Sequence, residues 1–270
     1  MMNLWEKENI PLYDEEKGQN PEMEAFLIDS DKPVGAVIIF PGGGYHHLAL
    51  DHEGKQTAEF YNSQGFNAFV VTYRLSPYNH PAMLLDALRA IRYVRYHAKD
   101  FNVNPDQIAI LGYSAGGHIA SSLYTHYDFE YEKQDEIDEV SARPNGAILC
   151  YGVLSLSSKY THSGSRKNLL SDYQGEDYMR LADFLSAEKQ VTEDTPPAFL
   201  WHTAADPVVP VSNSIDMAKA LSEAKIPFEL HIYPTGGHGM GLAHQKPHVT
   251  SWAPLSAAWL KDELGFDFAE

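Results

Sequence analysis

The chain has 270 residues, 44% apolar and 21% charged, the composition of a globular protein large enough for a sizeable core. Its 20 basic and 37 acidic residues give a formal net charge of −17, which argues against a nucleic-acid partner and against strongly anionic substrates. The single cysteine, Cys150, excludes an intrachain disulfide and a multi-cysteine zinc site, and no apolar run approaches the roughly 18 residues of a membrane helix.

At the N-terminus, Met1-Met2-Asn3-Leu4-Trp5 lacks the basic flank and apolar stretch of a secretory signal, so a cytoplasmic protein without a membrane partner is expected. Residues 34–40 read as a buried strand, followed by a glycine turn and a polar helix at 54–64. A second strand is expected at 67–73. Pro81 then opens a helix in which Leu84, Leu88, Ile91 and Val94 recur at helical spacing. Asn104-Pro105-Asp106 is a turn signal ahead of a strand at 107–112, and 116–127 reads as helix. Strands at 146–151, 197–202 and 228–233 and helices at 212–224 and 251–264 complete the series.

This alternation predicts an α/β fold: a mostly parallel central sheet with helices on both faces, in a single domain over residues 1–270. Residues 154–193 break the pattern and are too long for an ordinary connection, which predicts a small polar cap insertion. Within it, apolar residues are expected to be scattered among polar ones, with Leu169 and Leu170 standing together. The interleaved Tyr160, Tyr173 and Tyr178 suit contact with a hydroxylated ligand.

Gly112-Tyr113-Ser114-Ala115-Gly116 is the one G-x-S-x-G match, placed where a strand ends and a helix begins. A tight turn there would hold Ser114 above the sheet edge as a nucleophile, and such a hydroxyl needs a base and an orienting acid. Asp206 and His238 each follow a strand on its carboxyl side, where open α/β sheets place their sites, in the chain order serine, acid, histidine. Among the other histidines, His118 reads as structural, His231 as a strand residue pointing into packing or solvent, and His202 as a brace for the Asp206 loop. His244 and His248 read as surface imidazoles, since no H-E-x-x-H pattern accompanies them. Neither a metal nor a cofactor is expected. Pro41-Gly42-Gly43-Gly44-Tyr45 after the first strand would let the backbone approach a substrate with its N–H groups free for an oxyanion, with Ala115 N–H as a second source. A phosphate cradle is the competing reading, but no lysine follows the glycines.

With these motifs the chain resembles the α/β-hydrolase superfamily and its esterase/lipase group. The likeness rests on Pro41-Gly42-Gly43-Gly44-Tyr45, on Gly112 to His118 after Val103-Asn104-Pro105-Asp106, and on Tyr73-Arg74-Leu75-Ser76-Pro77 with His80-Pro81 and Asp86-Ala87. Its Phe-Pro-Gly-Gly-Gly-Tyr form is similar to that of bacterial acetyl-xylan-esterase-like and feruloyl-esterase-like carboxylesterases. The resemblance implies Ser114 as nucleophile, Asp206 as acid, His238 as base, and Gly43, Gly44 and Ala115 as oxyanion donors. Pro41 stands where the group commonly has histidine, which leaves open what supports the glycine loop.

The reading is therefore a serine carboxylesterase for short acyl esters, sugar acetates among them, with a small-molecule ester as its partner and homo-oligomer formation left open. An arylformamidase- or peptidase-type hydrolase using the same three residues is the enzymatic alternative. A catalytically silent ligand-binding protein is the alternative from another class.

Overall fold

The computed structural model describes residues 1–270. Its strands are β1 (Met2–Asn3), β2 (Glu22–Phe26), β3 (Val34–Phe40), β4 (Asn67–Thr72), β5 (Val103–Tyr113), β6 (Gly146–Cys150), β7 (Ala198–Thr203) and β8 (Phe228–Tyr233). They form one sheet in the spatial order β1-β2-β4-β3-β5-β6-β7-β8, in which β2 runs antiparallel to both its neighbours and all pairs from β4 to β8 are parallel. This is the α/β-hydrolase sheet, and its helices lie on both faces as the alternation requires.

β3 shows how sequence produces the layers. All its residues are buried, and successive side chains point to opposite faces. Ala36, Ile38 and Phe40 enter a core of 47 residues, while Val37 and Ile39 enter a core of 25 on the other side. The helices are α1 (Gln56–Ser63), α2 (Ala82–Tyr96), α3 (Ser114–Thr125), α4 (Ser163–Leu169), α5 (Gly175–Phe184), α6 (Ser212–Glu223), α7 (Pro247–Thr250) and α8 (Trp252–Asp262). α2, α3 and α6 cover the larger core with Leu88, Ile119 and Met217. On the opposite face α1 and α8 cover the smaller one with Tyr61, Trp252 and Leu260. No helix is long and apolar enough to cross a membrane.

Four features differ from the sequence expectation. β1 and β2 were not anticipated; the alternation Glu22-Met23-Glu24-Ala25-Phe26 is the signal for β2, with Met23 fully buried and Glu24 exposed. Asn104-Pro105-Asp106 does not precede the strand but bulges within β5, where the pairing with β3 shifts and Asp106 N–H donates to Asn104 Oδ1 at 3.1 Å. The polar helix at 54–64 instead begins as a wide turn at Leu50–Lys55 that buries Glu53 before α1 starts. Residues 154–193 fold into α4 and α5, and their leucines are not scattered on a polar surface: Leu154, Leu156, Leu169, Leu170 and Leu185 are buried in the larger core.

Arg74 and Asp86, quoted above for their resemblance, form a fully buried ion pair. The guanidinium reaches the carboxylate at 2.7 Å and also donates to the carbonyls of Pro11 and Ala82. The pair ties the segment after β4 to α2; removing one member would strand a buried charge at a cost of about 3–5 kcal/mol.

Candidate active site

The β5–α3 junction is a sharp turn made possible by its glycines. Ser114 has φ +54°, a left-handed conformation that L-residues rarely adopt outside constrained turns. A Cβ on Gly112 would lie 2.2 Å from Gly116 O, and one on Gly116 would lie 2.0 Å from Phe40 O. Only hydrogen fits at either place, so the turn can close and lift Ser114 to the N-terminus of α3.

Ser114, His238 and Asp206 are brought together. The Ser114 hydroxyl donates to His238 Nε2 at 2.7 Å, and His238 Nδ1–H donates to Asp206 Oδ2 at 2.7 Å. Asp206 Oδ1 accepts the N–H groups of Val208 and Val209 at 2.8 and 3.0 Å. Burial alone would raise the Asp206 carboxyl, but hydrogen bonds from His202, His238 and these two amides outweigh it and hold the group well below the usual carboxylate range. His202 is fully buried; its Nε2–H points to Val209 O at 2.8 Å and is shared with Asp206 Oδ2 at 3.4 Å, while Nδ1 accepts from Ser214, so it braces the Asp206 loop from behind.

The remaining histidines separate cleanly. His118 is buried, bonded to the Tyr45 hydroxyl and to Leu185 O, and burial pushes its imidazole down to about 4. His231 lies on β8 against Glu229, and His244 and His248 are exposed.

Gly43 and Gly44 have φ +135° and +66° and line one cavity of about 450 Å³ with Ser114 and His238. Neither N–H has an acceptor within the chain, whereas Gly42 N–H is bonded. Ala115 is the second residue of α3, where an N–H has no partner one turn back. A Cβ on Gly42 would lie 2.9 Å from Ser114 Cβ, which places the glycine loop directly against the turn. None of Tyr160, Tyr173 and Tyr178 lines this cavity. The expectation that they face a ligand is corrected: Tyr173 and Tyr178 pack on the larger core, and the Tyr173 hydroxyl donates to His80 O at 2.8 Å.

Sequence reasoning missed Glu53, which is 2% exposed in the cavity wall. Its Oε2 accepts Gly42 N–H at 2.7 Å, and its Oε1 accepts the Tyr151 hydroxyl at 2.8 Å. That hydroxyl in turn accepts Gly241 N–H at 2.8 Å, and the Tyr151 ring stands edge-to-face with His238 at 5.0 Å. Burial pushes the Tyr151 phenol far up, reinforced by the Glu53 charge, so it stays a donor. The Tyr73 hydroxyl donates to Pro41 O at 2.5 Å. Glu53 and Tyr73 thus support the glycine loop where histidine is absent. Glu53→Ala should lower kcat by about tenfold to a hundredfold, less than the roughly 10²–10³ that follows loss of an oxyanion donor itself. Steady-state kinetics check it, with Glu53→Gln, which keeps one acceptor, falling between.

A model of the BD-FAE family matches residues 27–221. The chain is 38% identical over 249 residues to endo-1,4-beta-xylanase B of Butyrivibrio fibrisolvens, covering 90% of this chain and 38% of that protein. It is 35% identical over 237 residues to the acetylxylan esterase of Xylanibacter ruminicola, covering 87% of this chain and 46% of that protein. The chain therefore spans less than half the length of either relative. Among solved structures, an acetyl ester-xyloside bifunctional hydrolase from Caldicellulosiruptor lactoaceticus aligns with a TM-score of 0.93 and 44% identity, over 99% of this chain and 97% of that one.

Proposed function

The chain belongs to the BD-FAE family, and from that premise we propose that it is a serine carboxylesterase removing acetyl or similarly short acyl groups from sugar-type alcohols. The observation that carries the reading is the line Ser114–His238–Asp206, with both contacts at 2.7 Å, opening on a cavity where two glycine N–H groups lack partners. The acetylxylan esterase and the acetyl ester-xyloside hydrolase support the substrate class.

In this reading Ser114 Oγ attacks the acyl carbon while His238 Nε2 takes its proton. Gly43, Gly44 and Ala115 N–H groups hold the negative charge that develops on the carbonyl oxygen. His238 returns the proton to the departing alcohol oxygen, leaving an acyl-enzyme. Water, deprotonated by the same nitrogen, then releases the acid and restores Ser114.

The cavity restricts what enters. Of its fourteen lining residues only Ala49 and Val208 carry aliphatic side chains, and its volume of about 450 Å³ suits a short acyl group with its alcohol better than a long acyl chain. Glycoside cleavage by the usual route needs two carboxyl groups flanking the bond, and Glu53 is the one carboxylate lining this cavity, already engaged by Gly42 and Tyr151. The reading is therefore confined to acyl esters.

Across acetyl, butyryl, octanoyl and palmitoyl esters of one alcohol, kcat/KM should peak at acetyl or butyryl, with no jump when the substrate forms micelles. A maximum at octanoyl or longer would overturn the short-chain reading. Faster cleavage of an aryl formamide than of any ester would favour the formamidase alternative, and failure to react with an organophosphonate probe would favour a silent binder.

A further inference from the structure

His162 sits in the wall of the catalytic cavity with one ring nitrogen engaged and the other free. It caps α4: Nδ1 accepts the Ser165 backbone N–H at 3.2 Å and the Ser165 hydroxyl at 2.8 Å. A backbone amide only donates, so Nδ1 is the acceptor and the neutral ring carries its proton on Nε2. Burial holds this imidazole below the usual histidine range, the nearby His238 adds to that, and Asp206 opposes it. The ring is therefore neutral at neutral pH, and its Nε2–H has no acceptor within the chain.

The position of that donor is fixed twice. His162 Cε1 lies 4.0 Å from the point a Cβ on Gly44 would occupy, so this edge of the ring stands beside the glycine loop. Asn168, on the same helix, donates to Gly44 O at 2.8 Å and pins α4 to that loop. Thus the insertion that interrupts the strand–helix alternation delivers a side-chain donor to the catalytic cavity.

We propose that His162 is a specificity residue whose Nε2–H binds an oxygen of the alcohol half of the substrate, a hydroxyl or ring oxygen of the sugar that carries the acyl group. This rests on the esterase reading above. The acyl oxygen is already served by backbone N–H groups, and the methyl of an acetyl group accepts no hydrogen bond. Only the alcohol half brings further acceptors.

His162→Asn tests it, because the asparagine oxygen still caps α4 while its short amide ends before the Nε2 position. The measurement is kcat and KM for wild type and variant on an O-acetylated xylo-oligosaccharide and on 4-nitrophenyl acetate, with thermal melting alongside. The loss in kcat/KM on the sugar ester should exceed that on the aryl ester by about tenfold, mostly in KM, as for one hydrogen bond removed. His162→Asn should melt close to wild type, whereas His162→Ala, which loses the cap, should melt earlier. Equal losses on both substrates, or no loss on the sugar ester, would overturn the assignment while leaving the esterase reading intact. A wild type that cleaves only the aryl ester would overturn the sugar reading and His162's role together.

Discussion

Ser114→Ala should give a folded protein that hydrolyses an aryl acetate about 10⁶-fold more slowly, the scale of loss when such a nucleophile is removed. The site makes this a clean substitution. Ser114 is held at φ +54° by the close approach of Gly112 to Gly116 and of Gly116 to β3, none of which involves its hydroxyl. Its one hydrogen bond through Oγ is to His238, which Asp206 continues to hold. What remains is a cavity with Gly43 and Gly44 N–H groups able to polarise a carbonyl, so residual turnover above the uncatalysed rate is expected. Two measurements decide it: kcat/KM with circular dichroism on the same preparation, and stoichiometric labelling by an organophosphonate, which should fall from one equivalent to none. A folded variant with near wild-type rates would remove Ser114 from the chemistry.

Much of the fold was legible because its causes are local. β3 reads as a strand from Val34–Phe40 alone, since a run buried on both faces has no need to alternate in polarity. The glycines at 112 and 116 announce the turn because no larger residue fits there, and that demand is written in the sequence. Asp206 and His238 follow from their positions just after β7 and β8. Glu53 and His162 were not legible, and the reason is physical. Asp51, Glu53 and Glu59 share one polar stretch, and only the wide turn at Leu50–Lys55 decides that Glu53 alone faces inward. His162 gains its meaning from Asn168 docking on Gly44, a contact across 124 residues of chain. The leucines of 154–193 misled in the same way, because their partners in the larger core come from distant helices.

Asp206→Asn should lower kcat by on the order of 10⁴ with a much smaller change in KM. The hydrogen bonds dictate how. Oδ1 receives two backbone N–H groups, from Val208 and Val209, so the asparagine must place its carbonyl oxygen there. Its NH₂ group then occupies the Oδ2 position and donates to His238 Nδ1, where the carboxylate now accepts at 2.7 Å. With Nδ1 forced to accept, the neutral imidazole carries its proton on Nε2, facing Ser114, and no base remains. Stability carries a second signature. The hydrogen bonds that hold the Asp206 carboxyl low favour its ionised form in the folded protein. Its contribution is therefore complete above the unfolded carboxylate value of about 3.9 and declines as pH falls below it. Denaturant unfolding of wild type and Asp206→Asn should show a gap at pH 6 that narrows toward pH 3. A gap that stays constant or widens on acidification would mean that the carboxylate is not held by these bonds. A variant retaining most of its kcat would move the orienting role to another acid.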